Sequence, residues 1–285
     1  MKFVKRFIDL ILYSNFFIAA CAVAMTLQTQ LLLQGSFELM SPIAILVFCA
    51  TLVIYALHRL VGMFKVQDFI GEGRYFIINK FKSHIWIYAI LGILVGAYYF
   101  FQVSRMVQMV IVVPAFFSLA YVLPIFGKGK KLRLRDFSGL KIFLVAIVWA
   151  YVTVLLPALE FGIWNSEVIW MFIERSLFVF AITLPFDIRD LKVDGHNEVQ
   201  TIPSWIGVDK TIQLAGILLF LFLIIVFFSY SMLVFIAMLI SAISTLYFVY
   251  LSPKQTHDYF FTALMDGTMI IQFIAAQAAL AASII

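Results

Sequence analysis

The chain has 285 residues, of which 64% are hydrophobic and 12% charged, with a formal net charge of +5. A soluble domain is about half apolar and a quarter charged, so this composition excludes a soluble globular protein and points to an integral membrane protein. The positive balance does not argue for nucleic acid, because the basic residues follow the loops and form no patch.

Lys2, Lys5 and Arg6 open the chain ahead of a long apolar stretch. No small-residue cleavage site is evident and further spans follow, so the stretch is expected to be a first transmembrane helix and not a signal peptide. Nine apolar segments are predicted as helices, at roughly 7–33, 42–57, 85–102, 106–125, 140–159, 168–186, 211–229, 231–251 and 259–284. Cys21 and Cys49 lie inside the first two and read as small core residues, with neither disulfide nor zinc spacing. The second segment runs into His58, Arg59 and Lys65, and the fourth into a basic loop carrying Lys130 and Lys131. Glu174 and Arg175 sit in the outer half of the sixth; being adjacent, they face different directions and need not pair. Three acids, Asp187, Asp190 and Asp194, close the sixth segment, and Asp209 is a plausible N-cap for the seventh. His257 and Asp258 begin the ninth as simple caps, and Asp266 lies about 10 Å into it at 1.5 Å per residue. A charge at that depth faces a bundle interior or a cavity.

Eighteen of the twenty Lys and Arg residues fall at the N-terminus or in, or at the edge of, the even-numbered loops; Arg105 and Arg175 are the exceptions. By the positive-inside rule the N-terminus and the even loops are cytoplasmic and the C-terminus is outside, as an odd number of spans requires. No linker or low-complexity tract divides the chain, so a single membrane domain is expected over 1–285.

The chemistry concentrates at Asp187, Asp190 and Asp194, spaced i, i+3 and i+7 on one helical stripe. Carboxylates that close repel one another and resist ionising together unless a cation joins them. Oxygen-only ligands suggest a hard cation such as Mg²⁺, commonly shared with a phosphate group. The bland alternative is a solvated acidic loop, but the chain has only 15 acids and spends three of them here. Arg189 and Lys192 fall on the opposite side of the helix wheel and read as headgroup contacts or anchors and not as ligands of the same ion. A phosphate-cradling Gly-rich loop, a Cys/His zinc pattern and a nucleophile elbow are all absent from the sequence.

Asp187-x-x-Asp190-x-x-x-Asp194, followed by Thr201-Ile202-Pro203 and Gly207, resembles the second aspartate motif of the UbiA superfamily of intramembrane prenyltransferases. The nine-span count and the basic loop from Tyr121 to Arg135 resemble that family too. The resemblance implies an all-α, nine-helix bundle; with the charge bias, its site is expected to face the cytoplasm, and a bacterial inner membrane is the expected location. The resemblance implies transfer of an isoprenyl group from an isoprenyl diphosphate to a hydrophobic, aromatic or lipid acceptor. Asp187, Asp190 and Asp194 would hold Mg²⁺, and Tyr121, Lys130 and Lys131 would help hold the diphosphate. Asp266, entering from the same side as the stripe, is expected either to line the acceptor cavity or to bind a basic loop residue. The family's first aspartate motif is missing: its place reads Tyr55-Ala-Leu-His58-Arg59-Leu-Val61-Gly-Met-Phe-Lys65.

Tyr121-x-x-Pro124 and Tyr250-x-x-Pro253 are 129 residues apart, and the same offset carries Asp187, Asp190 and Asp194 onto His58, Val61 and Lys65. That fits pseudo-repeat halves at about 7–125 and 140–251, with a ninth helix at 259–284. Two readings of the first half stay open. In one, His58, Arg59 and Lys65 supply positive charge directly opposite a metal on the Asp187 side; in the other, they are ordinary positive-inside residues and the site has decayed. The alternative function is a non-catalytic relative that binds a prenyl lipid or quinone. A cation transporter ranks last, because the acids lie at a membrane edge and not at its midplane.

Overall fold

The computed structural model describes residues 2–63, 73–126, 132–137, 139–196 and 199–282. Lys65, Lys130 and Lys131 lie outside these residues. Backbone polar groups in lipid must be satisfied within their own segment, and helices do this. The described residues are accordingly helical, apart from turns and one isolated bridge between Phe126 and Leu132.

The elements in chain order are α1 (Lys2–Tyr13), α2 (Phe16–Gln34), α3 (Pro42–Met63), α4 (Gly73–Lys80), α5 (Lys82–Phe100) and α6 (Arg105–Val122). After them come α7 (Leu140–Glu160), α8 (Ser166–His196), α9 (Ile202–Ile206), α10 (Val208–Ser229), α11 (Met232–Lys254) and α12 (Phe260–Ala282). Among the described residues nine of these helices, all but α1, α4 and α9, are long and apolar enough to cross a membrane. This is an integral, multi-pass membrane protein, with the expected number of spans.

The first span differs from expectation. One helix was predicted from residue 7 to 33, but the chain breaks at Ser14 and Asn15, where Asn15 adopts a left-handed conformation with φ 72°. Asparagine is among the few side chains that tolerate that region, so a break hides inside an unbroken apolar run. Residues 7–13 therefore belong to α1, and the span starts at Phe16.

Helix α2 is the most buried span and packs against α3, α7 and α12. From α7 the chain continues through α8, α10, α11 and α12 back to α2, and α6 leans on α3 and α7. The α3–α5 pair is close because α5 presents Gly92 and Gly96 to it. A Cβ at Gly96 would meet Cys49 Cβ at 3.1 Å, and one at Gly92 would meet Val53 Cγ2 at 3.1 Å. Small residues four apart let membrane helices approach in this way.

Helix α8 has 31 residues, about 46 Å at 1.5 Å per residue, against a hydrocarbon layer of roughly 30 Å. Its last turns extend past the apolar layer and carry the acidic stripe. Pro185 lies inside this helix, two residues before Asp187. It has no N–H to donate and so weakens the ladder just below the stripe. Two π-helical turns interrupt other spans, Tyr151–Leu155 in α7 and Phe260–Met265 in α12, the second directly before Asp266. Such turns shift the register of the helix beyond them and recur at functional sites. Asp209 was expected to cap α10; Gly207 caps it instead, with φ 83°, and Asp209 sits in the first turn. There its charge still complements the N-terminal dipole.

Candidate active site

A cavity of about 280 Å³ lies where α8 meets α1, α3, α7 and α12. Asp187, Asp190 and Asp194 all line it, so the acidic stripe turns inward and not to bulk solvent. Asp187 and Asp194 are buried, at 1% and 5% exposure.

The three carboxylates do not converge on one point. Lys141, in the first turn of α7, places its Nζ 2.7 Å from Asp187 Oδ1 and 2.9 Å from Asp194 Oδ2. Its ammonium donates a hydrogen bond to Asp194 and makes a close ion pair with Asp187. Asp190 turns to Arg189, which grips it through Nε at 2.8 Å and Nη2 at 3.1 Å. The same guanidinium donates from Nη1 to Asp258 Oδ1 at 2.7 Å and sits 5.0 Å from the ring centres of Phe186 and Phe261. Two expectations are corrected here. Arg189 lines the cavity and is no outward headgroup anchor, because its long side chain folds sideways onto its neighbour Asp190. Asp258 is an acceptor for that arginine and not a simple helix cap.

On the opposite wall His58 contacts Arg135, and its ring centre is 5.9 Å from that of Tyr121. Arg135 stacks over Tyr121 at 5.6 Å and reaches toward Asp194 at 4.0 Å, while its Nε is buried and has no hydrogen-bond partner among the described residues. Arg59 donates to the carbonyls of Tyr13 at 2.6 Å and Leu12 at 3.2 Å, tying α1 to α3. Tyr13 lies beside Asp258; burial first, and that carboxylate second, hold its hydroxyl above the ordinary phenol range. Asp266 lines the same cavity. Of the residues singled out from sequence, His58, Arg59, Tyr121, Asp187, Asp190, Asp194 and Asp266 therefore share one cavity. Lys141, Arg135, Arg189 and Asp258 join them without having been assigned to the site.

Five acidic side chains line this cavity (Asp187, Asp190, Asp194, Asp258 and Asp266), and five basic ones (Arg59, Arg133, Arg135, Lys141 and Arg189). Arg133 is committed to Asp136 at 2.8 Å. Among the described residues the formal charges of the lining cancel. The three acids expected to hold Mg²⁺ together are each paired with a basic side chain in this arrangement. No group of three His, Cys, Asp or Glu side chains is placed to hold a metal ion among the described residues. An ammonium fills the space between two of the carboxylates and a guanidinium takes the third, so the donor set as folded does not fit a divalent ion.

A second cavity, about 470 Å³ and almost wholly apolar, lies between α3, α5, α6 and α7. It shares Tyr55, His58, Tyr121, Val145 and Trp149 with the first. Trp149 Nε1 donates to the Tyr55 hydroxyl at 3.3 Å, with the rings edge to face at 6.4 Å. A charged chamber and an oily one thus meet at an aromatic boundary.

Glu174 and Arg175 lie outside both cavities. They do not pair through hydrogen bonds: Glu174 accepts from the Tyr230 hydroxyl at 3.2 Å, and Arg175 donates to the Met25 carbonyl at 3.0 Å and Thr153 Oγ1 at 3.1 Å. They tie α8 to α2, α7 and the C-cap of α10, a structural polar contact between helices.

The same arrangement of spans recurs in solved structures. An apo UbiA homolog from Aeropyrum pernix K1 is 11% identical, with 96% of this chain and 98% of that one covered and a TM-score of 0.60. The chain has the UbiA fold. A UbiA homolog from Archaeoglobus fulgidus bound to GPP and Mg²⁺ is 9% identical over 94% of this chain and 96% of that one, with a TM-score of 0.58. A digeranylgeranylglyceryl phosphate synthase is 16% identical over 98% and 99%, with a TM-score of 0.57. No protein-family model matches the chain, and no curated protein matches it. The helix arrangement is thus shared at low sequence identity.

Proposed function

We propose that this protein is a membrane prenyltransferase that moves an isoprenyl group from an isoprenyl diphosphate to a hydrophobic aromatic or lipid acceptor. The observation that carries this reading is the joining of two unlike chambers in a UbiA fold. One holds buried arginine and lysine side chains suited to a diphosphate; the other is an apolar hollow suited to an isoprenyl chain. A UbiA homolog with the same fold binds GPP and another of its structures DMAPP, both with Mg²⁺.

In this reading Arg135 is the first contact of the diphosphate, because its buried Nε lacks a partner. Lys141, Arg189 and Arg59 add charge-assisted hydrogen bonds as negative charge grows on the leaving group. Lys65, Lys130 and Lys131 are assigned the same task from sequence alone. Asp187 and Asp194 hold the Lys141 ammonium, and Asp190 and Asp258 hold Arg189, so the acids act by positioning the bases. The C–O bond to the diphosphate breaks and its electron pair leaves with the phosphate oxygen. Tyr55, Tyr121 and Trp149 offer ring faces to the developing allylic cation, and the apolar wall keeps water from quenching it. The acceptor forms the new bond to the isoprenyl carbon and gives up a proton, for which Asp266 is the carboxylate we assign. A divalent ion arriving with the diphosphate would have to displace Lys141. The distribution of Lys and Arg supports a site on the cytoplasmic face, and a bacterial inner membrane is the location we propose.

One specific observation favours the second reading, a non-catalytic binder of a prenyl lipid or quinone. His58 and Val61 stand where the family's first carboxylates are expected. The two readings separate in one assay. Purified protein in lipid is given labelled geranyl or geranylgeranyl diphosphate and a lipid extract as acceptor. Release of diphosphate that is lost in Arg135→Gln supports the transferase; retention of the labelled lipid with no release supports the binder.

A further inference from the structure

The stripe Asp187/Asp190/Asp194 has the sequence of a metal motif, yet each carboxylate is already taken by a basic side chain. Lys141 reaches it from a different helix. Its side chain is only 11% exposed, and its Nζ bridges two carboxylates that are two turns apart on α8, at 2.7 and 2.9 Å. These are charge-assisted ammonium-to-carboxylate distances, so the ammonium fills the gap that an ion bridging the two carboxylates would have to enter. Arg189 grips Asp190 with two N–H groups and spends a third on Asp258. Arg135 stands 4.0 Å from Asp194 and contacts His58, which occupies the facing wall. A divalent ion entering between Asp187 and Asp194 would meet three fixed positive charges. It would also compete with an ammonium that is tethered to the fold and loses no translational freedom on binding.

We infer that Lys141 is a built-in replacement for the divalent ion: its ammonium occupies the ion's place between Asp187 and Asp194, and this motif binds no divalent metal. Ion binding alone is at stake, independently of prenyl transfer. The stripe then has a purpose without metal, since the same carboxylates that would ligate an ion orient a lysine toward the cavity.

The test uses Mn²⁺ as the probe, titrated into purified full-length protein in detergent and read by electron paramagnetic resonance. Wild type should show no saturable binding that depends on Asp187, and Lys141→Arg, which keeps a cation there, should behave the same way. Lys141→Met should gain one Mn²⁺ site at least about ten-fold tighter than anything in wild type, equal to 1.4 kcal/mol. Adding Asp187→Asn to Lys141→Met should abolish it, and Mn²⁺ should raise the melting temperature of Lys141→Met alone. A wild-type Mn²⁺ site weakened by Asp187→Asn would overturn the inference. So would a folded Lys141→Met protein that gains no site. If Lys141→Met does not fold, the comparison of wild type with Asp187→Asn decides by itself: no difference upholds the inference, and a lost site ends it.

Discussion

Lys141 is the residue on which the charged chamber turns. Buried ion pairs contribute little net stability when complete, because desolvation offsets attraction, but removing one partner strands the other. Lys141→Met strands two carboxylates that are nearly inaccessible. It should lower unfolding stability by about 3–5 kcal/mol, whereas Asp194→Asn, which leaves Lys141 paired with Asp187, should cost less; thermal unfolding in detergent would rank them. Arg189→Lys should also destabilise, by about 1–2 kcal/mol, because one ammonium cannot reproduce the two-pronged grip on Asp190 together with the bond to Asp258. Sequence could not show these pairings. A lysine at the basic end of a span satisfies the positive-inside pattern whether it faces lipid headgroups or a cavity, so Lys141 gave no separate signal. Arg189 was misplaced for a related reason: the helix wheel fixes where a Cβ points, while a long guanidinium stem goes where a carboxylate is.

At the scale of elements, the apolar spans were legible because lipid demands about twenty apolar residues per crossing, and nine such runs stand out. Breaks within those runs were not legible. The α1–α2 break rests on one buried left-handed asparagine, and nothing in Ser14-Asn15-Phe16 separates it from the flanking helix-compatible residues. Asn15→Ala should cost about 1–2 kcal/mol, since Cβ crowding penalises that conformation, and Asn15→Gly should be better tolerated. Because Arg59 anchors the end of α1 over the cavity through the carbonyls of Leu12 and Tyr13, Asn15→Ala should also change ligand access. On α5, Gly96→Val would drive a side chain into Cys49 and part α3 from α5, opening the apolar cavity that they help wall. The outcome to look for is a lower melting temperature without loss of the Lys141 ion pairs, read as an unchanged response to Mn²⁺.

At the scale of the molecule, the nine spans among the described residues and their expected orientation emerge from composition and charge with little help from residue detail. That is why chains only 9–16% identical share the fold. The charge bias further predicts which side the site faces. A cysteine placed at Asn165, between α7 and α8, should be labelled by impermeant maleimide from outside intact cells, and one at Lys210 should be labelled only after permeabilisation; the opposite pattern would invert the protein and put the charged chamber outside. The site's chemistry was legible only as a location. The acidic stripe marked the cavity correctly, but the charges that complete it come from α7 and from Arg135 in the loop before it, and no spacing rule connects those to α8. The most direct test of the account compares the binding of geranylgeranyl diphosphate with that of geranylgeraniol, in wild type and in Arg135→Gln. The account predicts that Arg135→Gln weakens the diphosphate at least about ten-fold and leaves the alcohol unchanged, since only the first presents an anion to that guanidinium. Equal affinity for the two ligands in wild type, unmoved by the substitution, would contradict it.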